Sequence, residues 1–228
     1  SKDGKRVMRS YAIPHFPLDD YITPQDVQGQ RAYGGEGAER LASVQALKLT
    51  TIRKSHAATL ETARAKMITS GDIYAPNGTV VGNVYTDFGV TRKQVAMDLT
   101  NAATDILGKQ REIVDHIQDN IMSGETPSEI IALCSPSYFD AYISQAGVKE
   151  AYKFYTSTQE PLRNGNWSQF RHGDITLIRY NGKFKDASGV SQALIPDGDA
   201  YYLPLDTSDT FKTYFSPANK FDLANTLG

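Results

Sequence analysis

Cysteine is almost absent from this 228-residue sequence, which holds only Cys134. A single thiol cannot form a disulfide within the chain, and it cannot supply a thiolate cluster for a metal ion. Such scarcity is typical of proteins made in a reducing, intracellular compartment. Long apolar runs are absent too. No run approaches the roughly 18 to 20 residues that cross a bilayer, so we expect no membrane partner.

An excess of charge of either sign is also absent. The chain has 24 basic and 26 acidic residues, and its net charge is −2. Proteins that bind nucleic acid in solution usually carry a basic excess, so sequence-specific binding of DNA or RNA is not expected. Hydrophobic residues make up 40% and charged residues 22%, which is typical of globular proteins. The length fits one long domain or two small ones.

Motifs for catalysis or metal binding are missing as well. One group of acidic and histidine residues is better explained as a solvated helix face: Glu112, Asp115, His116 and Asp119. Cys134 and Ser135 lie in "CSPSYFD", at a predicted strand-to-helix turn, but the G-x-S-x-G pattern of a nucleophile elbow is absent. Serine followed by proline is typical of a helix start. We therefore expect no catalytic residue, no metal and no cofactor, and an enzyme with a site near Ser135 remains a weaker alternative.

What the sequence does contain begins with an apolar arm, residues 1–35. Its prolines Pro14, Pro17 and Pro24 exclude a regular helix and predict extended backbone. Apolar and aromatic side chains lie between the prolines. Such an arm packs either on its own domain or on a neighbouring subunit, and the sequence leaves both possibilities open. The candidate subunit contacts are Tyr11, Phe16, Leu18 and Tyr21.

A long helix is predicted next, over residues 36–70. This segment lacks proline, is rich in good helix formers and stops at Gly71. Some 32 helical residues would span about 48 Å, which exceeds the core of a domain this size. Because its apolar stripe is thin, we expect a spine that lies across a sheet or along a partner.

The remaining elements predict an α+β fold. A hairpin is expected around Asn77 and Gly78, with its second strand running to Tyr85. A helix from about Leu99 to Ile121 should stop at Gly124. Further expectations are a strand in "EIIALC", a helix from Pro136 that stops at Gly147, a short helix over 148–155, and strands in "ITLIRY" and "AYYLPL".

Four stretches near the C-terminus carry a family resemblance. They are "GDITLIRY" (Gly173–Tyr180), "IPDGDAYYLPLDT" (Ile195–Thr207), "FKTYFSPAN" (Phe211–Asn219) and "ANTLG" (Ala224–Gly228). Together they resemble the end of the A-domain in major capsid proteins of lambda-like tailed phages and prophages, the capsid E family. The segment "LASVQALKLTTIRKSHAATLETARAKMITSG" is similar to that family's spine helix, and the resemblance runs in order along nearly the whole chain.

The resemblance implies an HK97-like capsid fold with an extended E-loop, a P-domain and an A-domain. Residues 1–35 would be part of the E-loop, and residues 36–94 the P-domain with its spine helix and β-hairpin. Residues 95–228 would form the A-domain and the start of the return to the P-domain. The family also has an N-terminal arm and a final strand that this chain lacks, so we expect the 228 residues to be part of a longer protein.

The implied function is that of a structural subunit of an icosahedral phage head, assembling into hexamers and pentamers that enclose the genome. Its partners would be copies of itself together with scaffold, decoration and portal proteins, and it would enclose double-stranded DNA without sequence-specific binding. It would reside in the virion capsid and assemble in the cytoplasm of a bacterial host. An encapsulin-like compartment shell protein is the alternative with the same fold.

Overall fold

The computed structural model describes residues 13–28, 41–121, 125–155, 169–185, 188–208 and 210–217, with the side chains of 152–155 left aside. Two compact units divide after Asp87, the first being Ser1–Asp87 and the second Phe88–Gly228. Both helices and strands are present, so the predicted α+β class is confirmed.

The first unit contains the arm, one long helix and one hairpin. Residues 13–28 of the arm have no regular structure apart from a 3-10 turn at Pro24–Asp26. The other elements are α1 (Leu41–Thr69), β1 (Asp72–Tyr74), β2 (Val80–Asn83) and α2 (Val84–Phe88), which reaches the boundary with the second unit. The predicted long helix is thus confirmed over the 29 residues of α1, while residues 36–40 lie outside the described part.

Gly71 ends α1 as predicted, for two physical reasons. Its φ of +74° lies in the left-handed region, which lets its N–H turn back to the carbonyl oxygens of Lys66 and Met67. A Cβ atom at this position would also lie 2.4 Å from the ring of Tyr85. Glycine is therefore required here by both the backbone and the packing.

The predicted Asn-Gly turn of the hairpin is confirmed. Gly78 has a φ of +80°, and the Ala75 amide donates to the Thr79 carbonyl at 2.8 Å. The expectation that the second strand reaches Tyr85 is wrong. Strand β2 ends at Asn83, because the Asn83 side chain accepts from the Thr86 amide at 2.9 Å and so starts α2.

The second unit is a mixed sheet flanked by helices. Its helices are α3 (Ile106–Asn120), α4 (Pro136–Ser144) and α5 (Ala146–Tyr155). Its strands are β3 (Glu129–Cys134), β4 (Gln169–His172), β5 (Ile175–Arg179), β6 (Lys183–Lys185), β7 (Ser191–Ala193) and β8 (Ala200–Leu205). The four-stranded sheet has the order β4-β5-β3-β8, with β3 and β5 parallel and the other pairs antiparallel, while β6 and β7 pair separately.

The core of this unit lies between the sheet and α4. Along β3 every second side chain is buried, namely Ile130, Ala132 and Cys134. These three belong to the same hydrophobic cluster as the aromatic residues of α4, which are Tyr138, Phe139 and Tyr142. The strand predicted in "EIIALC" is confirmed, and its alternating burial gives the sheet one dry face.

Two helix boundaries differ from the sequence expectation. The second helix begins at Ile106 and not near Leu99, because the Asp105 carboxylate caps it by accepting from the Gly108 amide at 2.9 Å. It ends at Asn120, before Gly124, which lies outside the described residues. Gly147 does not stop a helix: α4 ends at Ser144, and Gly147 lies inside α5.

Candidate functional site

The arm is fixed to α1 of its own chain by Lys48. Its ammonium lies 3.1 Å from the Asp20 carboxylate, donates to the Tyr21 carbonyl and lies 4.0 Å from the Asp26 carboxylate. It also lies 6.0 Å from the centre of the Tyr21 ring. The Thr23 amide donates to Asp26 at 2.8 Å, which lowers the pKa of that carboxyl. Polar contacts to a single cation therefore position this part of the arm.

The apolar side chains of the arm remain largely in solvent. Ile13 is 53% exposed, Leu18 44% and Tyr21 79%, while Phe16 is half-buried. Tyr11, the fourth predicted contact, lies outside the described residues. An extended segment with ordered backbone and outward apolar groups has the properties of a surface that binds another protein chain.

Most residues of the long helix α1 are exposed, and the half-buried ones are concentrated toward its C-terminal end. Of its 29 residues, all of which the structure describes, only Thr69 is buried. Its exposed large apolar residues are Leu41, Leu47, Leu49 and Met67. Helices in proteins owe most of their stability to the packing of a face against other elements. An uncovered helix of this length is therefore a candidate surface for contact with another molecule.

Threonine hydroxyls on α1 are satisfied within the helix itself. Four of them donate to the carbonyl oxygen four residues earlier, at distances between 2.8 and 3.1 Å: Thr50, Thr51, Thr59 and Thr62. Burying a polar group in an interface costs free energy if the group loses its hydrogen bond to water and gains no other. These four hydroxyls already donate to carbonyl oxygens of the same helix, so they avoid that cost. A partner can therefore lie against this helix without leaving the four hydroxyls unpaired.

A third exposed apolar patch follows β8. The Glu125 carboxylate anchors the start of this segment by accepting from the Ser208 amide at 2.7 Å and from the Thr210 hydroxyl at 3.1 Å. Three aromatic side chains beyond this anchor are exposed: Phe211 by 51%, Tyr214 by 76% and Phe215 by 64%. Sequence reasoning did not name them as contacts, because aromatic residues at this density also fit a core.

The Ser135 and Cys134 side chains are packed into their turn, while the hydroxyl of the exposed Ser137 donates to the Asp197 carboxylate. Ser135 is 1% exposed, and its hydroxyl oxygen accepts from the amides of Tyr138 at 3.3 Å and Gly198 at 3.0 Å. Cys134 is fully buried, and burial raises the pKa of its thiol to about 12. An active site here requires an open pocket and an activated side chain. The packing of these two side chains counts against the alternative of an enzyme with a site near Ser135, and the predicted role of Ser135 as a helix cap is confirmed.

The acidic face of α3 is engaged in a surface ion pair. Glu112 lies 2.8 Å from the Lys93 ammonium, which lowers the pKa of this carboxyl.

Across the part of the chain that the structure describes, no group of three His, Cys, Asp or Glu residues is arranged to hold a metal ion. Within the same residues, no helix has the length and apolarity to cross a bilayer.

Comparison with known proteins identifies a family of proteins that this chain resembles along its whole length. The model of the family described as "Phage major capsid protein E" matches residues 1–228. The major capsid protein of Pseudomonas phage KPP10 is 40% identical over 241 residues, covering 100% of this chain and 69% of the relative. The major capsid protein of Salmonella phage Felix O1 (isolate Felix O1-VT1) is 26% identical over 250 residues, covering 96% of this chain and 67% of the relative.

Both relatives are structural proteins of the phage head, and the first is similar along the entire chain. The family named from the C-terminal motifs and the spine segment is thereby confirmed. The chain belongs to the phage major capsid protein E family and is a structural subunit of a phage capsid.

Proposed function

We propose that this capsid subunit has an HK97-type fold and assembles into hexamers and pentamers that build an icosahedral head. The observation that carries the proposal is the exposure of α1, a 29-residue helix with one buried residue. Such a helix needs lateral contacts, and a closed shell supplies them to every copy. Contacts of this kind are heterologous and close into rings by rotation.

The proposed domain organisation follows the family pattern. Residues 1–35 are part of the E-loop, residues 36–94 are the P-domain with spine helix and hairpin, and residues 95–228 are the A-domain with the start of the return to the P-domain. The division into two compact units after Asp87 supports a boundary in this part of the chain. The mixed four-stranded sheet supports an A-domain with its own core.

In this proposal the arm contacts an adjacent subunit through Tyr11, Phe16, Leu18 and Tyr21. The exposure of Leu18 and Tyr21 supports this role. The contacts of Lys48 add a second argument, because they order the backbone of the arm before it meets its partner. Ordering a segment in advance lowers the entropy cost of association.

The proposed partners are further copies of the chain and, in the complete head, scaffold, decoration and portal proteins. The head encloses double-stranded DNA without reading its sequence, and the net charge of −2 supports mechanical confinement without a basic binding groove. An encapsulin-like compartment has the same fold, but membership in a phage capsid family favours the phage head.

Replacing Tyr21 with alanine tests the arm directly. We expect Tyr21→Ala to reduce the assembled fraction of the full-length gene product strongly, since central aromatic contacts often contribute more than about 1 kcal/mol each and recur at every interface of a shell. The free energy of unfolding of the monomer should change by less than about 0.5 kcal/mol, because the side chain is 79% exposed. Sedimentation measures the first quantity and urea unfolding the second.

The matched control is Tyr21→Phe, which keeps the ring and removes the hydroxyl. It should assemble like the native chain, because the ring and not the hydroxyl is expected to fill the contact. Normal assembly of Tyr21→Ala contradicts the role of the arm. Unfolding of the monomer would instead assign Tyr21 to the core of its own unit.

A further inference from the structure

A chain of hydrogen bonds links three elements of the second unit. The Gln110 amide nitrogen on α3 donates to the Tyr142 hydroxyl on α4 at 2.6 Å. The same hydroxyl lies 2.8 Å from Nδ1 of His172 on β4. Gln110 is 3% exposed and Tyr142 is fully buried, while His172 is half-buried. Burial makes each of these bonds costly to lose.

The bonds have a direction. The Gln110 NH₂ group can only donate, so the Tyr142 oxygen accepts from it. The Tyr142 hydroxyl keeps its own proton hydrogen-bonded by donating it to His172, and in that arrangement Nδ1 is the unprotonated acceptor. The arrangement therefore selects the neutral imidazole with its proton on Nε2.

Protonation of His172 is incompatible with this direction. It places a second proton between Nδ1 and the Tyr142 hydroxyl. If the hydroxyl turns away, its proton meets the NH₂ group of Gln110. The Tyr142 hydroxyl donates again if the Gln110 amide also turns over, which moves its NH₂ group to the side of Gly173, where the amide oxygen now lies 3.2 Å from the Cβ position of that residue. If the amide stays in place, the Tyr142 oxygen accepts from both neighbours and its own buried proton loses its partner. One proton thus costs the network a buried hydrogen bond or forces Gln110 to turn over.

We propose that Gln110, Tyr142 and His172 form a proton-sensitive latch, closed while His172 is neutral, that holds the edge strand β4 against α3 and α4. Among the residues that the structure describes, strand β4 is the outer strand of the order β4-β5-β3-β8 and pairs with β5 only. The Phe170 side chain packs in the core beside Tyr142, and the latch adds a polar attachment to that apolar one. Acid opens the latch and loosens β4 while the central strands stay paired.

The surroundings of His172 favour the neutral ring. Its centre lies 5.8 Å from that of Tyr142 and 6.2 Å from that of Phe170. Charged groups of both signs lie in this region: Arg171 precedes His172 on β4, and Arg111, Asp115 and Asp174 line a cavity together with Gln110 and Gly173. Burial is the cause that lowers the pKa of His172 below its ordinary value of 6.5.

The sign of the pH effect follows from this direction. A histidine whose pKa is lower in the folded state binds more protons when unfolded, so stability rises with pH across that interval. The contribution of His172 is complete above 6.5 and is lost as the pH falls from 6.5 to the pKa of the folded state. The loss amounts to about tenfold in the unfolding equilibrium for each pH unit between the two pKa values.

The first test is an NMR titration of the imidazole nitrogens in the full-length gene product, kept below its assembly concentration. Comparison with the spectrum of His172→Asn assigns the His172 signals, because they are the ones that this variant lacks. We expect His172 to carry its proton on Nε2 at neutral pH and to titrate below 6.5. A proton on Nδ1, or half-protonation at or above 6.5, overturns the proposal.

The second test is amide hydrogen exchange in β4 at about pH 7.5 and about pH 5, corrected for intrinsic exchange rates. The amides should lose protection in acid in the native chain. His172→Asn should remove this loss, because the asparagine oxygen takes the place of Nδ1 and does not titrate. His56→Asn, at an exposed position of α1, should behave like the native chain. Equal loss of protection in His172→Asn and the native chain, or no loss in either, overturns the proposal.

Discussion

Deletion of residues 1–30 is expected to abolish shell assembly by the full-length gene product while the second unit remains folded. The deletion removes exposed apolar side chains that the monomer does not use for its own core, such as Ile13, Leu18 and Tyr21. The contacts of Lys48 with Asp20 and Tyr21 are lost as well, but exposed ion pairs contribute at most about 1 kcal/mol to stability. Assembly therefore responds far more strongly than folding.

Light scattering as a function of protein concentration measures the loss of assembly, and circular dichroism shows whether the deletion variant is still folded. A matched pair of full-length variants separates the apolar contacts from the mere presence of the arm. One variant replaces Ile13, Leu18 and Tyr21 with serine, and the other replaces the exposed polar residues His15, Asp19 and Gln25 with serine. We expect only the first to fail in assembly. Shells of normal size from the deletion variant would show that the arm is not an assembly element.

Leu177→Ala is expected to cost about 2 to 5 kcal/mol of unfolding free energy, the usual range for truncating a fully buried leucine. Leu177 is fully buried on β5, which pairs with β4 on one side and β3 on the other. Strands β3 and β4 cannot readily move to fill the cavity that the shortened side chain leaves, because backbone hydrogen bonds hold both strands to β5. Domains are stable by only about 5 to 15 kcal/mol, so a large part of the total is lost.

Urea unfolding of the unassembled chain measures this cost. The matched control is Leu205→Ala, which makes the same chemical change at the end of β8, where the side chain is 37% exposed and the strand lies at the edge of the sheet. Its cost should be at most about 1 kcal/mol, because less apolar area returns to water and the site can relax. Similar costs for the two variants would contradict the assignment of the core to the β3–β5 pair.

Elements with local signals could be predicted from the sequence. The Asn-Gly turn at Gly78 needs a positive φ, and the helix after Ser135 has a side-chain cap followed by a proline, which the first helical position tolerates because its N–H would have no partner within the helix. Helix α1 follows from composition and from the absence of proline. In each case the residues that decide the conformation are neighbours in the chain, so the sequence displays the cause.

The helix boundaries that the sequence predicted wrongly are set by side-chain caps. Leu99 and Ala103 fit the helical period, but the Asp105 cap starts α3 later. Gly147 is typical of a helix stop. The Gln145 side chain nevertheless caps the start of α5 by accepting from the Val148 amide at 2.9 Å, and the helix continues through Gly147. Side-chain caps of this kind depend on a rotamer and on the path of the backbone, which hydrophobic periodicity does not contain.

The candidate surfaces were predictable only in part. The prolines of the arm indicated an extended segment but left open whether it packs on its own domain, and the structure shows Leu18 and Tyr21 exposed. The aromatic patch after β8 was missed, because Phe211, Tyr214 and Phe215 read equally well as core residues. An apolar side chain is buried only if another part of the fold packs against it. A sequence pattern indicates the type of secondary structure through its periodicity, but it does not show which element packs against that side chain.

Negative-stain electron microscopy of the full-length gene product, expressed together with its neighbouring head genes, tests the central claim most directly. The claim is that the chain builds a closed shell through its arm and its long helix. We expect round shells, or rings with five-fold and six-fold symmetry. A uniform small particle at every protein concentration would contradict it.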